Sequence, residues 1–188
     1  MATTMDWPHE RNRELEVAEP LVPEALLLKA MALAARQVPQ LNGYWQVDHF
    51  TPASAVHLGV AISLRSGGLV TPAIHDAADL PPGKLMARLR DLVNRARGGR
   101  LRRAELTGAT FTATNLGDEG VESVSGMIYP PQVPSSASAS SSSAVGGLIG
   151  ARPVVVTTLS ADHRASDGYT GARYLAAVSE LLQRPEEL

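Results

Sequence analysis

Not one of the 188 residues is cysteine, which removes disulfides, thiolate metal sites and a cysteine nucleophile from consideration. Any thiol chemistry has to be brought by substrates, and no metal ligand set is read from the chain. Long apolar runs are also missing: none reaches the ~18 residues that suggest a membrane span. The amino terminus lacks the basic-then-apolar plan of a secretory leader, so a soluble, cytoplasmic protein is expected. Nor does either sign of charge dominate, since 17 Lys+Arg against 19 Asp+Glu leave a formal −2. That gives no global attraction for nucleic acid or anionic membrane, and neither is an expected partner. One local exception is Arg88, Arg90, Arg95, Arg97, Arg100, Arg102 and Arg103. This stretch reads either as a solvated helix face and its exit or as contacts for coenzyme phosphates or an acidic partner.

What is present is 44% apolar side chains, enough for one substantial core and short of two. The expected organisation is a partly exposed lead-in over 1–19 and one domain over 20–188. Residues 24–38 are strong helix formers, apolar on nearly every side, and Pro39 ends them. Leu85, Met86, Leu89, Leu92, Val93 and Ala96 recur at helical spacing after Pro81 and Pro82, with Asp79 as the expected N-cap. A closing amphipathic helix is predicted over 169–183. Strands are predicted at Tyr44–Phe50, Val56–Leu64, Leu69–His75, Thr110–Thr114 and 153–161, with a short helical turn around Ala104–Leu106. This alternation implies an α/β two-layer sandwich, a mixed sheet carrying its helices on one face.

One segment breaks the pattern. Ser135 to Ser143 holds only serine and alanine, too little apolar surface to offset the entropy of ordering, and it reads as a mobile loop. A phosphorylated regulatory tract and a replacement for a native segment are its rival readings.

The chemistry concentrates in Leu159-Ser160-Ala161-Asp162-His163-Arg164-Ala165-Ser166-Asp167-Gly168. A histidine at the end of a buried strand has a fixed backbone and a free ring, as a positioned general base requires. Asp167 and Arg164 are close enough in sequence to hold the turn by charge-assisted hydrogen bonds. By itself the spacing of His163 to Asp167-Gly168 is a weak signal, and the plain alternative is a histidine that merely terminates a strand.

Further blocks stand in order around it. These are Leu26–Ala30, Val38–Asn42, His57–Ala61, Gly68–Pro72, Arg95–Arg97, Gly108–Thr112, Asn115–Gly117 and Pro130–Gln132. With Leu159–Gly168 they span about residues 20 to 185. Together they resemble the catalytic domain of the dihydrolipoyl acyltransferase components of 2-oxoacid dehydrogenase complexes, a family with the chloramphenicol acetyltransferase fold.

The resemblance implies acyl transfer between two thiols, with coenzyme A and a lipoyl group as substrates. It assigns His163 as the base. Thr114 stands where the family usually carries a serine supporting the oxyanion; an ordinary strand threonine is the alternative. Asp167 matches the family's structural aspartate, while Asn115, Gly117, Arg164 and Gly168 shape the turns. It further implies a homotrimer or a multiple of trimers, the base of one subunit facing the hydroxyl of the next. A lipoyl domain and the dehydrogenase components are the implied partners. Residues contacting coenzyme A and the identity of the acyl group are not readable.

The chain is expected to start after the family's amino-terminal helix and strand, and it carries the Ser/Ala tract where relatives run an apolar strand. These departures keep open a catalytically weak oligomeric scaffold, and acyl transfer to a small hydroxyl acceptor stays open because it would use the same histidine. His9, His49, His57 and His75 have no acidic partner in the pattern and are read as structural or exposed.

Overall fold

The computed structural model describes residues 22–117, 120–144 and 151–188, with side chains left aside at 140–144 and 151–153. The lead-in expected over residues 1–19 lies outside the described residues.

Three helices form where the apolar periods predict them: α1 (Pro23–Gln37), α2 (Pro82–Arg97) and α3 (Gly168–Gln183). The α1 helix is buried along most of its length and contacts both α2 and α3. Its one buried charge, Lys29, donates from Nζ to Ala78 O and Leu80 O, both at 2.7 Å. Burial pushes the Lys29 amine down, and the two carbonyls compensate by fixing the approach to α2. That approach differs from expectation at Asp79, which pairs with Arg36 at 2.9 Å instead of capping. The helix begins at proline with no side-chain cap, because Pro82 has no N–H to satisfy.

The strands are β1 (Gly43–Gln46), β2 (His49–Pro52), β3 (Leu58–Val60), β4 (Ile62–Ser63), β5 (Leu69–Val70), β6 (Ala73–Ile74), β7 (Phe111–Asn115), β8 (Pro134–Ala144) and β9 (Ala151–Ala161). Three predicted strands are each divided in two. Tyr44–Phe50 folds back at Val47-Asp48 into the hairpin β1–β2. Val56–Leu64 divides at Ala61: its N–H still donates to Ala113 O of β7, and beyond it Ile62-Ser63 pair with β5 instead. Leu69–His75 breaks at Thr71-Pro72, where proline cannot donate to a ladder.

The main sheet has the order β6-β3-β7-β8-β9. It is mixed: β3, β7 and β8 run parallel, and the edge strands β6 and β9 are antiparallel to their neighbours. Phe111 packs on Tyr174 of α3, ring centroids 5.3 Å apart, so Phe111 and Ala113 face the helices while Thr112 and Thr114 face away.

The expectation of a loop over 135–143 is corrected. The Ser/Ala tract is strand β8, paired with β7 on one side and with all of β9 on the other. Its backbone ladder does not depend on side-chain type, and its small residues match a tight site. Ser135, Ser136, Ala137, Ser138 and Ala139 are almost wholly buried. On the face away from the helices, a Cβ at Gly126 would stand only 2.5 Å from Ser135 Oγ. Thr158 donates to Val124 O, and Thr112 donates to Gln132 Oε1 at 2.7 Å. The segment from 120 to 132 thus lies directly on the sheet, where large side chains on β8 would hold it off.

Candidate functional site

Beyond Ala161 the chain turns through Asp162–Ser166 into α3, and Asp162 organises that turn. Its N–H donates to Val133 O at 2.9 Å, and its carbonyl accepts from Ala165 N (3.0 Å) and Ser166 N (3.1 Å). Its carboxylate accepts from Arg164 N (3.0 Å), Nε (3.0 Å) and Nη2 (2.6 Å). The guanidinium of Arg164 holds the Asp162 carboxyl below the usual carboxylate range. The same guanidinium lies over the Trp45 ring, 4.6 Å from its centroid. His163, between these two residues, is exposed.

Asp167 caps α3, its carboxylate accepting from Thr170 N at 2.8 Å. Hydrogen bonds from Thr170 hold its carboxyl below the ordinary value, and the nearby His163 acts in the same direction. The expected closure of the turn by Asp167 with Arg164 is therefore corrected: Arg164 pairs two residues back, and Asp167 is spent on the helix terminus that begins at Gly168. A carboxylate there satisfies orphan N–H groups and meets the positive end of the helix dipole.

The other half of the predicted site lies at the end of β7. Thr114 is half-buried on the face away from the helices, and its hydroxyl has no partner among the described residues. Asn115 Oδ1 accepts from Gly117 N (3.0 Å) and Ser138 Oγ (3.1 Å), and Leu116 N donates to Ser138 O (3.0 Å). Gly117 sits at φ +52°, where glycine is favoured. A cleft of about 610 Å³ opens ahead of the start of β7, lined in part by Tyr44, Leu69, Thr107, Ala109, Tyr129 and Gln132. Gln132 joins it to Thr112, and so to the face that carries Thr114.

Thr114 and His163 do not meet within the chain. Thr114 is level with Ala137 and, across β8, with Thr158. From Thr158 the strand runs on to Ala161 before His163 is reached, roughly 10 Å at ~3.3 Å per residue, in addition to crossing two strand spacings.

The sequence pattern missed a cluster at the opposite edge. His57 Nδ1 accepts from Asp76 N at 3.1 Å and lies 3.8 Å from the Asp76 carboxylate, so His57 does have an acidic partner. His75 meets the His57 ring edge-on at 4.7 Å. Burial pushes the His57 imidazole down, His75 adds to this, and Asp76 opposes it. Asp76 sits at φ +54°, in a turn not marked by glycine or asparagine. The His49 ring lies 3.1 Å from Val47 O, and His9 lies outside the described residues. In the basic stretch, Arg95 is tied to Asp91 (2.7 Å) and Glu105 (2.5 Å). Among the described residues, no group of three or more His, Asp or Glu could hold a metal ion, and no helix is long and apolar enough to cross a membrane.

Comparison with known proteins identifies the family. The chain is 33% identical over 176 residues to the dihydrolipoyllysine-residue acetyltransferase component of the mitochondrial pyruvate dehydrogenase complex of Schizosaccharomyces pombe, covering 87% of this chain. It spans only 35% of that relative's length. The dihydrolipoamide acetyltransferase of Azotobacter vinelandii, studied for the role of a serine, a histidine and an asparagine in its catalytic mechanism, superposes with a TM-score of 0.87 at 27% identity, covering 97% of this chain and 78% of that one. The cubic core of a pyruvate dehydrogenase multienzyme complex gives 0.83 at 25%, covering 100% and 77%. A chloramphenicol acetyltransferase at 12% identity and 0.62 shares the fold, over 93% of this chain and 82% of that one. The family described as the catalytic domain of the 2-oxoacid dehydrogenases acyltransferases matches residues 1–188, and the chain belongs to it.

Proposed function

We propose that the chain transfers an acyl group between coenzyme A and a dihydrolipoyl group, with His163 as general base. The observation that carries this reading is the His163 turn: an exposed imidazole set between an ion-paired Asp162–Arg164 and a helix-capping Asp167. In the Azotobacter enzyme the catalytic histidine and asparagine are four residues apart, the spacing of His163 and Asp167 here.

In this reaction His163 takes the proton of the attacking thiol. The new carbon–sulfur bond forms at the thioester carbonyl, and the Thr114 hydroxyl donates to the resulting oxyanion. Collapse breaks the old carbon–sulfur bond, and the proton passes from His163 to the departing thiolate. Because Thr114 and His163 stand apart within one chain, the hydroxyl facing a given His163 comes from a neighbouring subunit. A trimer or multiple of trimers follows as part of the proposal, in company with a lipoyl domain and dehydrogenase components. The cleft lined by Tyr44 and Gln132 is a suitable channel for a substrate arm. The scaffold alternative loses one of its supports, since the Ser/Ala tract completes the sheet.

Purified protein assayed with acetyl coenzyme A and dihydrolipoamide tests the reading. Thioester exchange that His163→Ala abolishes supports it; a well-formed oligomer with no exchange replaces it with the scaffold.

A further inference from the structure

The catalytic turn and the β1–β2 hairpin are far apart in sequence but meet through one contact, the Arg164 guanidinium over the Trp45 ring at 4.6 Å. Both sides of that contact are anchored. On the turn, Asp162 grips the guanidinium through Nε and Nη2 and is itself rooted by its N–H on Val133 O. On the hairpin, Trp45 N donates to Pro131 O at 2.8 Å, and Trp45 pairs with Phe50 across the strands. Val133 and Pro131 are two residues apart, so both anchors reach the same stretch of chain.

We propose that Trp45 is a positioning residue for His163: by stacking on Arg164 it closes the turn in which His163 stands. Asp162 and Arg164 flank the histidine, and their side chains are locked to one another, so the direction of the His163 backbone depends on where Arg164 is held. Asp162 reaches Arg164 from within the turn, whose backbone it roots on Val133 O, but it leaves the outer face of the guanidinium without a hold from another element. Trp45 contacts it from a separate element and therefore adds a second hold on the turn, at the Arg164 side chain. A ring face attracts a guanidinium by its quadrupole and favours a flat stack that a lysine or an aliphatic partner does not reproduce. The charge of Asp48, at the hairpin turn, also acts on Arg164. That turn places Val47 at φ +48°, a conformation a β-branched residue resists, so the hairpin holds its shape against local preference. The functional part of this inference rests on His163 being the base.

The test compares wild type, Trp45→Leu and Trp45→Phe in the full chain by hydrogen exchange with mass spectrometry and by acyl-transfer kinetics. Trp45→Leu is expected to raise exchange about tenfold at the amides of residues 164–166 and to leave those of β7 unchanged. It should lower kcat roughly 10- to 100-fold, as for an ångström-scale misplacement of a catalytic group, with KM little changed. Trp45→Phe, which keeps a ring face, should restore most of both. Unchanged exchange at 164–166 overturns the proposal, as does a loss of protection spread equally over β7, since Trp45 would then serve only general stability. If His163→Ala proves fully active, the base assignment fails, while the exchange result still decides whether Trp45 holds the turn.

Discussion

The turns that follow β7 and β9 each present one half of the proposed site, and they are held by different physics. The Asn115–Gly117 turn is closed by neutral hydrogen bonds, from Gly117 N and Ser138 Oγ to Asn115 Oδ1 and from Leu116 N to Ser138 O. The His163 turn is closed by an ion pair, a cation over a ring and a charged helix cap. A neutral turn anchored on a neighbouring strand responds little to pH or salt, which suits a fixed oxyanion donor. A charged turn on the surface presents its imidazole to a substrate arriving from solution, which suits a group that must reach an attacking thiol.

The largest effect that separates the two is chemical. His163→Ala should lower turnover by roughly 10²–10⁴-fold while sedimentation shows the assembly intact, because general-base catalysis contributes about that much. Thr114→Val keeps the shape and removes the hydroxyl, and should cost about 2.7–4 kcal/mol of transition-state stabilisation at most, read from kcat/KM. Thr114→Ser should preserve or raise activity, since it keeps the donor with a freer rotamer. Equal activity in the valine and serine variants would remove Thr114 from the site and leave the β7 turn with a structural role alone.

How far these turns were legible in sequence follows from the same contrast. The His163 turn is local: Asp162, Arg164, Asp167 and Gly168 lie within one short run, and a strand rich in valine precedes it. Even there, the partner of Arg164 was misread, because proximity along the chain does not say which carboxylate a helix N-terminus claims. The helices were legible because an apolar stripe at helical spacing survives without knowledge of neighbours. β8 was illegible for the opposite reason. Its serines and alanines carry no apolar period, and what orders them is the ladder to β7 and β9 together with the segment lying over Ser135. Trp45 and the Asp76 partner of His57 were invisible because both act across the fold.

A smaller effect probes the neutral turn alone. Asn115→Ala removes the acceptor shared by Gly117 N and Ser138 Oγ and should destabilise the protein by about 1–2 kcal/mol, two modest hydrogen bonds lost in a half-buried place. Denaturant midpoints measure it. Since no ionised group takes part, the loss should be the same at pH 7 and pH 4, and a loss that changes with pH would show that the turn is coupled to a titrating neighbour.

The smallest effect belongs to the charged turn and should have the opposite pH behaviour. Asp162 is hydrogen-bonded to Arg164, and its carboxyl is held below the ordinary value of 3.8. A carboxyl whose folded value is depressed binds protons more readily in the unfolded chain, so its contribution to stability is fully present above the ordinary value and is lost as pH falls through the folded one. Arg164 is 61% exposed and Asp162 19%, so water screens the pair and Asp162→Asn should cost no more than about 1 kcal/mol at pH 7. The gap between wild type and Asp162→Asn in denaturant midpoint should then close as pH drops below the carboxylate range, while the Asn115→Ala gap stays open. Were the Asp162→Asn gap to persist undiminished in acid, the turn would be held by its backbone hydrogen bonds, and its contrast with the neutral turn would reduce to the cation over Trp45.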